Sequence, residues 1–307
     1  MTKCAIFSCL GLGDGLIAQV LSNNLSLNGY KVTTFHPSLS GLQRWFPELP
    51  ITRFPSQKDM PKALQEFDRF FIIYEKSIWM QAVLRHCEML YPDKTRVLNP
   101  IATPKTDYAY WSHGRFDGRR PFVENLMGFC RDILQMPLVT KSNGIVPPAN
   151  VQLRKAAKRV VIHPTSSRES KNWPKEKYLG LAEELKKRGF IPAFIMSSAE
   201  KQAWGEVHHE VPDLEDLDAM ARYVAESGYM VGNDSGIGHL ASCLGLSTVT
   251  LCPRKIQADF WRPAWSRGAV LVPPGWIPNL KGMRLRDKYW KSWIPVSKVL
   301  QSFLHLT

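Results

Sequence analysis

The feature that most constrains this chain is a short apolar run that breaks on glycines and passes straight into helix-spaced apolar residues. The pattern begins again in the second half. Cys4 to Leu10 is the first such run; it ends at Gly11-Leu12-Gly13-Asp14-Gly15, and Leu16 to Leu27 then keeps helical spacing until Asn28-Gly29 stops it. Lys31 to Phe35 and Phe70 to Tyr74 read as strands, and Ile78 to Leu90 as a helix ending before Tyr91-Pro92. Past the middle, Arg159 to His163 is a strand, Lys175 to Arg188 a helix closed by Gly189, and Ile191 to Met196 a strand. Leu214 to Glu226 and Ile237 to Leu244 read as helices, Tyr229 to Val231 and Ser247 to Cys252 as strands. Strands alternating with helices build parallel sheets. Two such halves in tandem predict an α/β chain of two Rossmann-like domains with the site in the cleft they form.

Between the halves, Lys141 to Asn150 (KSNGIVPPAN) joins Asn-Gly to Pro-Pro with little hydrophobic pattern, which suits a linker. The domains expected are 1–148 and 149–307. A length of 307 residues agrees with two domains, and 44% hydrophobic with 22% charged residues describes a soluble globular chain. No apolar run approaches the roughly 18 to 20 residues of a bilayer span. Met1 to Leu10 has neither a basic leader nor a small-residue cleavage site, so it reads as a strand and not as a signal peptide. The six cysteines show no CxxC pairing and no dense spacing, which points to a reducing cytoplasm and away from a zinc site.

The formal charge is +13, shared by both halves: residues 1–150 hold 17 Lys and Arg against 12 Asp and Glu, and the rest hold 23 against 15. A surplus of this size favours polyanionic partners without choosing among nucleic acid, phospholipid surface and phosphorylated substrate. A generally basic, soluble surface is the plain alternative.

Three loops carry chemistry. Glycines at 11, 13 and 15 do not make GxGxxG, and no acidic residue closes the second strand, so a nicotinamide dinucleotide site is not indicated. What remains is one carboxylate, Asp14, at a helix start, either capping the helix or serving as a general base. The second loop, His163 to Pro174, brings Thr165, Ser166, Ser167, Arg168, Ser170 and Lys171 into one strand-to-helix connection, enough hydroxyls and cations for several phosphoryl oxygens. Taken singly, Lys171 reads as a solvated lysine and Trp173 as a packing residue. The third loop, Gly232-Asn233-Asp234-Ser235-Gly236-Ile237-Gly238-His239, sets a carboxylate and a hydroxyl before a helix N-terminus. This suits a ligand with sugar hydroxyls as well as phosphate, since ionised Asp accepts from hydroxyls. His239 is either a satisfied core histidine or a phosphate or sugar contact.

In these places the sequence resembles glycosyltransferase family 9, the ADP-heptose:lipopolysaccharide heptosyltransferases. The G-D turn matches at Gly13-Asp14, H-x-T-[ST]-x-x-x-x-K-x-W-P from His163 to Pro174, and D-[ST]-G-x-x-H-L from Asp234 to Leu240. The resemblance implies a GT-B fold, two Rossmann-like domains with parallel sheets facing a central cleft, with the donor held mainly by the C-terminal domain and the acceptor by the N-terminal one. It implies an inverting transferase that moves heptose from ADP-heptose to a lipopolysaccharide core, at the inner face of the bacterial inner membrane, with no cofactor and no metal. Asp14 corresponds to the proposed base. Thr165, Ser166 and Lys171 correspond to pyrophosphate contacts, and Asp234, Ser235, Gly236 and His239 to the loop around heptose and phosphate. Glu200 lies near the position where the family places an acidic residue on the nucleotide ribose. Ser166 and Ser235 stand where threonine is commoner, which keeps the hydroxyl. Pro253-Arg254-Lys255 lacks the usual glycine and threonine, which leaves the identity of the sugar open.

Two further segments attract partners. The loop His113 to Pro121 offers Arg115, Arg119 and Arg120, suited to the carboxylates and phosphates of an anionic glycolipid, or else to solubility alone. The tail from Lys281 to Lys298 interleaves six basic residues with Tyr289, Trp290 and Trp293. It fits a peripheral contact with anionic lipid better than nucleic acid, which explains neither loop motif; the plain alternative is a last helix packing back at the domain junction. Rivals to transfer are a nucleotide-sugar epimerase of the same fold, a donor-binding homologue without activity, and a nucleic-acid-binding protein.

Overall fold

The computed structural model describes residues 1–100, 116–280 and 283–307. The chain divides into two compact units, Met1–Val146 and Pro147–Thr307.

The first unit runs β1 (Lys3–Phe7), α1 (Leu12–Leu27), β2 (Lys31–Phe35), β3 (Ile51–Thr52), α2 (Met60–Leu64), β4 (Arg69–Ile73), α3 (Ile78–Leu90), β5 (Thr95–Leu98) and α4 (Phe122–Gly128). Its sheet is parallel in the order β3-β2-β1-β4-β5, the Rossmann order. β1 and β4 are central, so apart from their first residues they are buried without a polar alternation. Helical spacing predicts the first helix from Leu16, yet α1 begins at Leu12, because Gly13 and Gly15 are buried but carry no side chain to show in a periodicity.

The segment Lys141 to Asn150, expected to be a linker, is anchored over its first part. Asn24 of α1 donates to the Thr140 carbonyl (2.8 Å) and accepts from the Thr140 N–H (2.7 Å), Asn23 donates to Ser142 O (3.0 Å), and Asn143 donates to Leu16 O (3.3 Å). Gly144 completes the strap at φ +78°, where a Cβ would lie 2.6 Å from Leu49 Cδ1.

The second unit runs β6 (Ala156–His163), α5 (Lys175–Lys187), β7 (Ile191–Phe194), α6 (Ser198–Trp204), α7 (Leu217–Ala225), β8 (Ser227–Asn233), α8 (Gly236–Cys243), β9 (Ser247–Leu251), α9 (Lys255–Trp261), β10 (Gly268–Leu271), α10 (Leu285–Lys288) and α11 (Val296–Leu304). Its parallel sheet has the order β10-β9-β8-β6-β7, the other common doubly wound arrangement. The last helix packs within this unit: Phe303 of α11 meets Phe190 and Tyr229 edge-on, at centroid distances of 5.0 and 5.2 Å.

The basic aromatic tail is corrected in part. Trp290, grouped above with the headgroup-level aromatics, is a buried core residue whose indole donates to Ser170 O at 3.0 Å. Trp173 is a packing residue, as its plain reading has it: it is buried, it donates to Ile294 O at 2.9 Å, and it stands edge-on to Tyr178. The tail thus braces the second loop from behind. Among the described residues no helix is long and apolar enough to cross a membrane.

Candidate active site

In an open parallel sheet, ligands bind outside the carboxyl ends of the strands where the strand order reverses. In the second unit that reversal lies between β6 and β8, and the loops leaving these two strands are the second and third motifs. Asn233 joins them. Its side chain accepts from Trp173 N (3.0 Å) and donates to the Pro164 carbonyl (2.5 Å) and to Asn172 Oδ1 (3.4 Å), which also accepts from the Ser166 hydroxyl (2.7 Å). Gly232 allows the close approach of the two strands: a Cβ there would lie 2.5 Å from His163 O.

Across this crevice Lys171 Nζ meets Asp234 Oδ2 at 3.2 Å, with side-chain exposures of 20% and 13%. Lysine has three N–H donors and this pair uses one, so its cation remains available to a phosphate. The pair is also shielded enough for its charges to matter more than those of a surface bridge. Ser235 is the N-cap residue of α8, but its hydroxyl makes no capping bond; Ser235 Oγ and His239 Nδ1 are both sealed from solvent without a hydrogen-bond partner among the described residues. Buried polar atoms are normally paired, so orphans grouped on one helical turn leave room for a bond from a ligand or a water. Gly236 opens that helix, whose first N–H groups favour an anion.

The imidazole of His239 is buried; burial lowers its pKa, against the opposing Asp234 charge and the Trp261 backbone, so the ring is neutral near pH 7. His163 is held low in the same way by burial, and its Nδ1 bonds Ile195 O at 2.9 Å. Glu200 lies in the first turn of α6 and closes a capping box with Ser197: it accepts from Ser197 N at 2.7 Å. Burial raises its carboxyl pKa, but the nearby Thr165 hydroxyl and the hydrogen bonds from Ser197 N–H and O–H outweigh that and hold it below its ordinary value. Glu200 therefore stands beside the buried Thr165 and the second loop. Ser167 is exposed on that loop.

Gly13 and Asp14 belong to the first unit, where α1 leaves the sheet beside β1. Asp14 is in the first turn of α1, a position that favours an acid electrostatically. The residue that fixes this turn is His36, which gave no signal in the sequence. Its Nδ1 accepts from the N–H groups of Ser38 (3.2 Å) and Leu39 (2.9 Å), which leaves the proton on Nε2, and Nε2 donates to Gly11 O at 3.0 Å. Gly15 admits the ring, since a Cβ at that position would lie 2.6 Å from it. Arg119 and Arg120 are exposed and engage Asp117 (3.2 Å) and Glu124 (3.6 Å); Arg115 lies outside the described residues.

Residues 131–272, which contain the whole of this crevice, match the model of glycosyltransferase family 9 (heptosyltransferase). The match spans the second unit's crevice and a little under half of the chain. Solved structures agree in fold along the full length. ADP-heptose lipopolysaccharide heptosyltransferase II of E. coli has a TM-score of 0.66 at 19% identity, over 99% of this chain and 98% of that one. The E. coli heptosyltransferase WaaC with ADP has 0.70 at 14% identity over 100% of both chains. WaaC is also known with ADP-2-deoxy-2-fluoro heptose, at 0.69 and 15% identity, again over 100% of both chains. These similarities establish the GT-B class of fold. No curated protein sequence matches the chain.

Proposed function

We propose that the chain transfers heptose, with inversion, from ADP-heptose to an anionic lipopolysaccharide core. The observation that carries the reading is the crevice of the second unit, where a Lys171–Asp234 pair lies at a helix start with two polar atoms that have no partner among the described residues. A diphosphate and a sugar would supply what these groups lack: oxygens for Lys171 and for the first turn of α8, and hydroxyls for Asp234. The solved heptosyltransferases bound to ADP and to an ADP-heptose analogue agree with such a ligand.

In the proposed reaction an acceptor hydroxyl attacks the anomeric carbon. Its proton passes to Asp14 as the new C–O bond forms, and the bond to the diphosphate breaks with its electron pair leaving on ADP. Lys171 and the N–H groups of α8 stabilise that charge. His239 joins them if it takes up a proton when the diphosphate arrives. Arg119 and Arg120 attract the anionic acceptor, and the protein is peripheral on the cytoplasmic face of the inner membrane.

Calorimetric titration with ADP, UDP and GDP tests the donor assignment. ADP should bind best, and Lys171→Ala should weaken it about tenfold or more, since a hydrogen bond to a charged group contributes roughly 1.5 to 3 kcal/mol. Equal affinity for all three, or no effect of the substitution, removes the crevice as the donor site.

A further inference from the structure

The first sheet has a reversal of its own, between β1 and β4, and the loop leaving β4 carries a carboxylate with no part in the scheme above. Gly11 to Asp14 leaves β1 on one side of that reversal; Tyr74 to Ser77, with Glu75, leaves β4 on the other. The second unit uses the equivalent positions for its ion pair, since Asp234 directly follows β8 and faces the loop from β6.

Glu75 is half-anchored. Its Oε2 accepts from Leu10 N at 3.2 Å, which ties it to the loop that presents Asp14. Its Oε1 is sealed from solvent and has no hydrogen-bond partner among the described residues. A buried carboxylate oxygen without a donor is a costly state, and ionised carboxylates only accept, so this oxygen is open to a donor that the described residues do not supply, such as a ligand hydroxyl or a water. Cys9 reports how near the two acids are: burial pushes its thiol well up, and the charges of Asp14 and Glu75 push it further.

We infer that Glu75 binds the acceptor: its Oε1 takes a hydrogen bond from one hydroxyl of a polyhydroxylated acceptor and so presents a neighbouring hydroxyl to Asp14. The inference rests on the glycosyl-transfer reading and adds to it a residue that selects and orients the acceptor.

Glu75→Gln tests it, because the amide keeps an oxygen for Leu10 N–H but sets N–H donors where the free acceptor stood. Rates are measured with ADP-heptose and lipopolysaccharide truncated at the keto-sugar acid, with ADP affinity and Tm alongside. The expected result is an acceptor KM raised about tenfold or more, with donor KM, ADP affinity and Tm unchanged. An acceptor KM within about twofold of wild type overturns the inference. So does a rise accompanied by a lower Tm and a weaker donor, which would make Glu75 a structural tie. If the wild-type protein forms no product, the transfer reading fails by itself, and calorimetric binding of the same truncated core still decides: weaker binding by Glu75→Gln supports the inference, and equal binding overturns it.

Discussion

Three histidines, His36, His163 and His239, are held neutral, each with its pKa lowered chiefly by burial. A histidine whose folded pKa lies below its unfolded value binds a proton more readily when the chain unfolds. Its contribution is complete above the unfolded value of about 6.5 and is lost progressively as pH falls toward the folded value. The protein should therefore unfold at lower urea concentration at pH 5.5 than at pH 7.5, and His36→Gln should flatten that dependence. An unchanged urea midpoint between the two pH values would mean that these rings are not buried neutral. At this scale the sequence was unevenly legible. Asp234, Ser235 and His239 stood out because a strand end, a glycine and a helix start are adjacent in the chain. His36 did not, because Gly11 reaches it only when β1 and β2 pair in parallel, and its local bonds to the Ser38 and Leu39 N–H groups leave no periodic trace.

At the scale of elements, the start of α1 turns on the contact between Gly15 and His36. Alanine inside a helix is favoured over glycine by about 1 kcal/mol. Against that, the new Cβ would lie 2.6 Å from an imidazole pinned by three backbone hydrogen bonds, and overpacking of this sort costs about 1 to 3 kcal/mol. The steric term should win. Gly15→Ala is expected to lower stability by up to about 2 kcal/mol, read from denaturant unfolding, and to lower turnover because Gly11 to Asp14 shift with the ring. A stabilised Gly15→Ala would show that the ring gives way freely. Most elements were readable from periodicity, since buried central strands and amphipathic helices leave clear patterns. The exceptions were short elements: β3 has two residues, β5 (TRVL) and β10 (GAVL) have four each, and the helices α2, α4, α6, α9 and α10 have four to seven, too few for a period to register. The strap over α1 was missed for another reason, since asparagine side chains binding backbone leave no hydrophobic trace.

At the scale of the whole molecule, the charge of +13 and the exposed aromatic rings of the second unit bear on where the protein works. Trp276 is 77% exposed and touches Trp293, while Tyr289 is exposed beside Lys288. Aromatics and cations together favour an anionic headgroup layer, at about 1 kcal/mol for each nearby Lys or Arg. Vesicles containing phosphatidylglycerol should retain the protein at low salt and release it as salt rises, with Trp276→Ala and Trp293→Ala reducing retention; equal retention by purely zwitterionic vesicles would contradict a charge-driven contact. The chemistry itself is tested most directly by one measurement, the transfer of heptose from ADP-heptose to a truncated lipopolysaccharide core by the wild-type protein and by Asp14→Ala. The account predicts product from the wild type and turnover lower by about 10² to 10⁴ in the variant, the usual contribution of a positioned base. Near-equal turnover by the two proteins would contradict it, leaving Asp14 as a helix-terminal charge and no more.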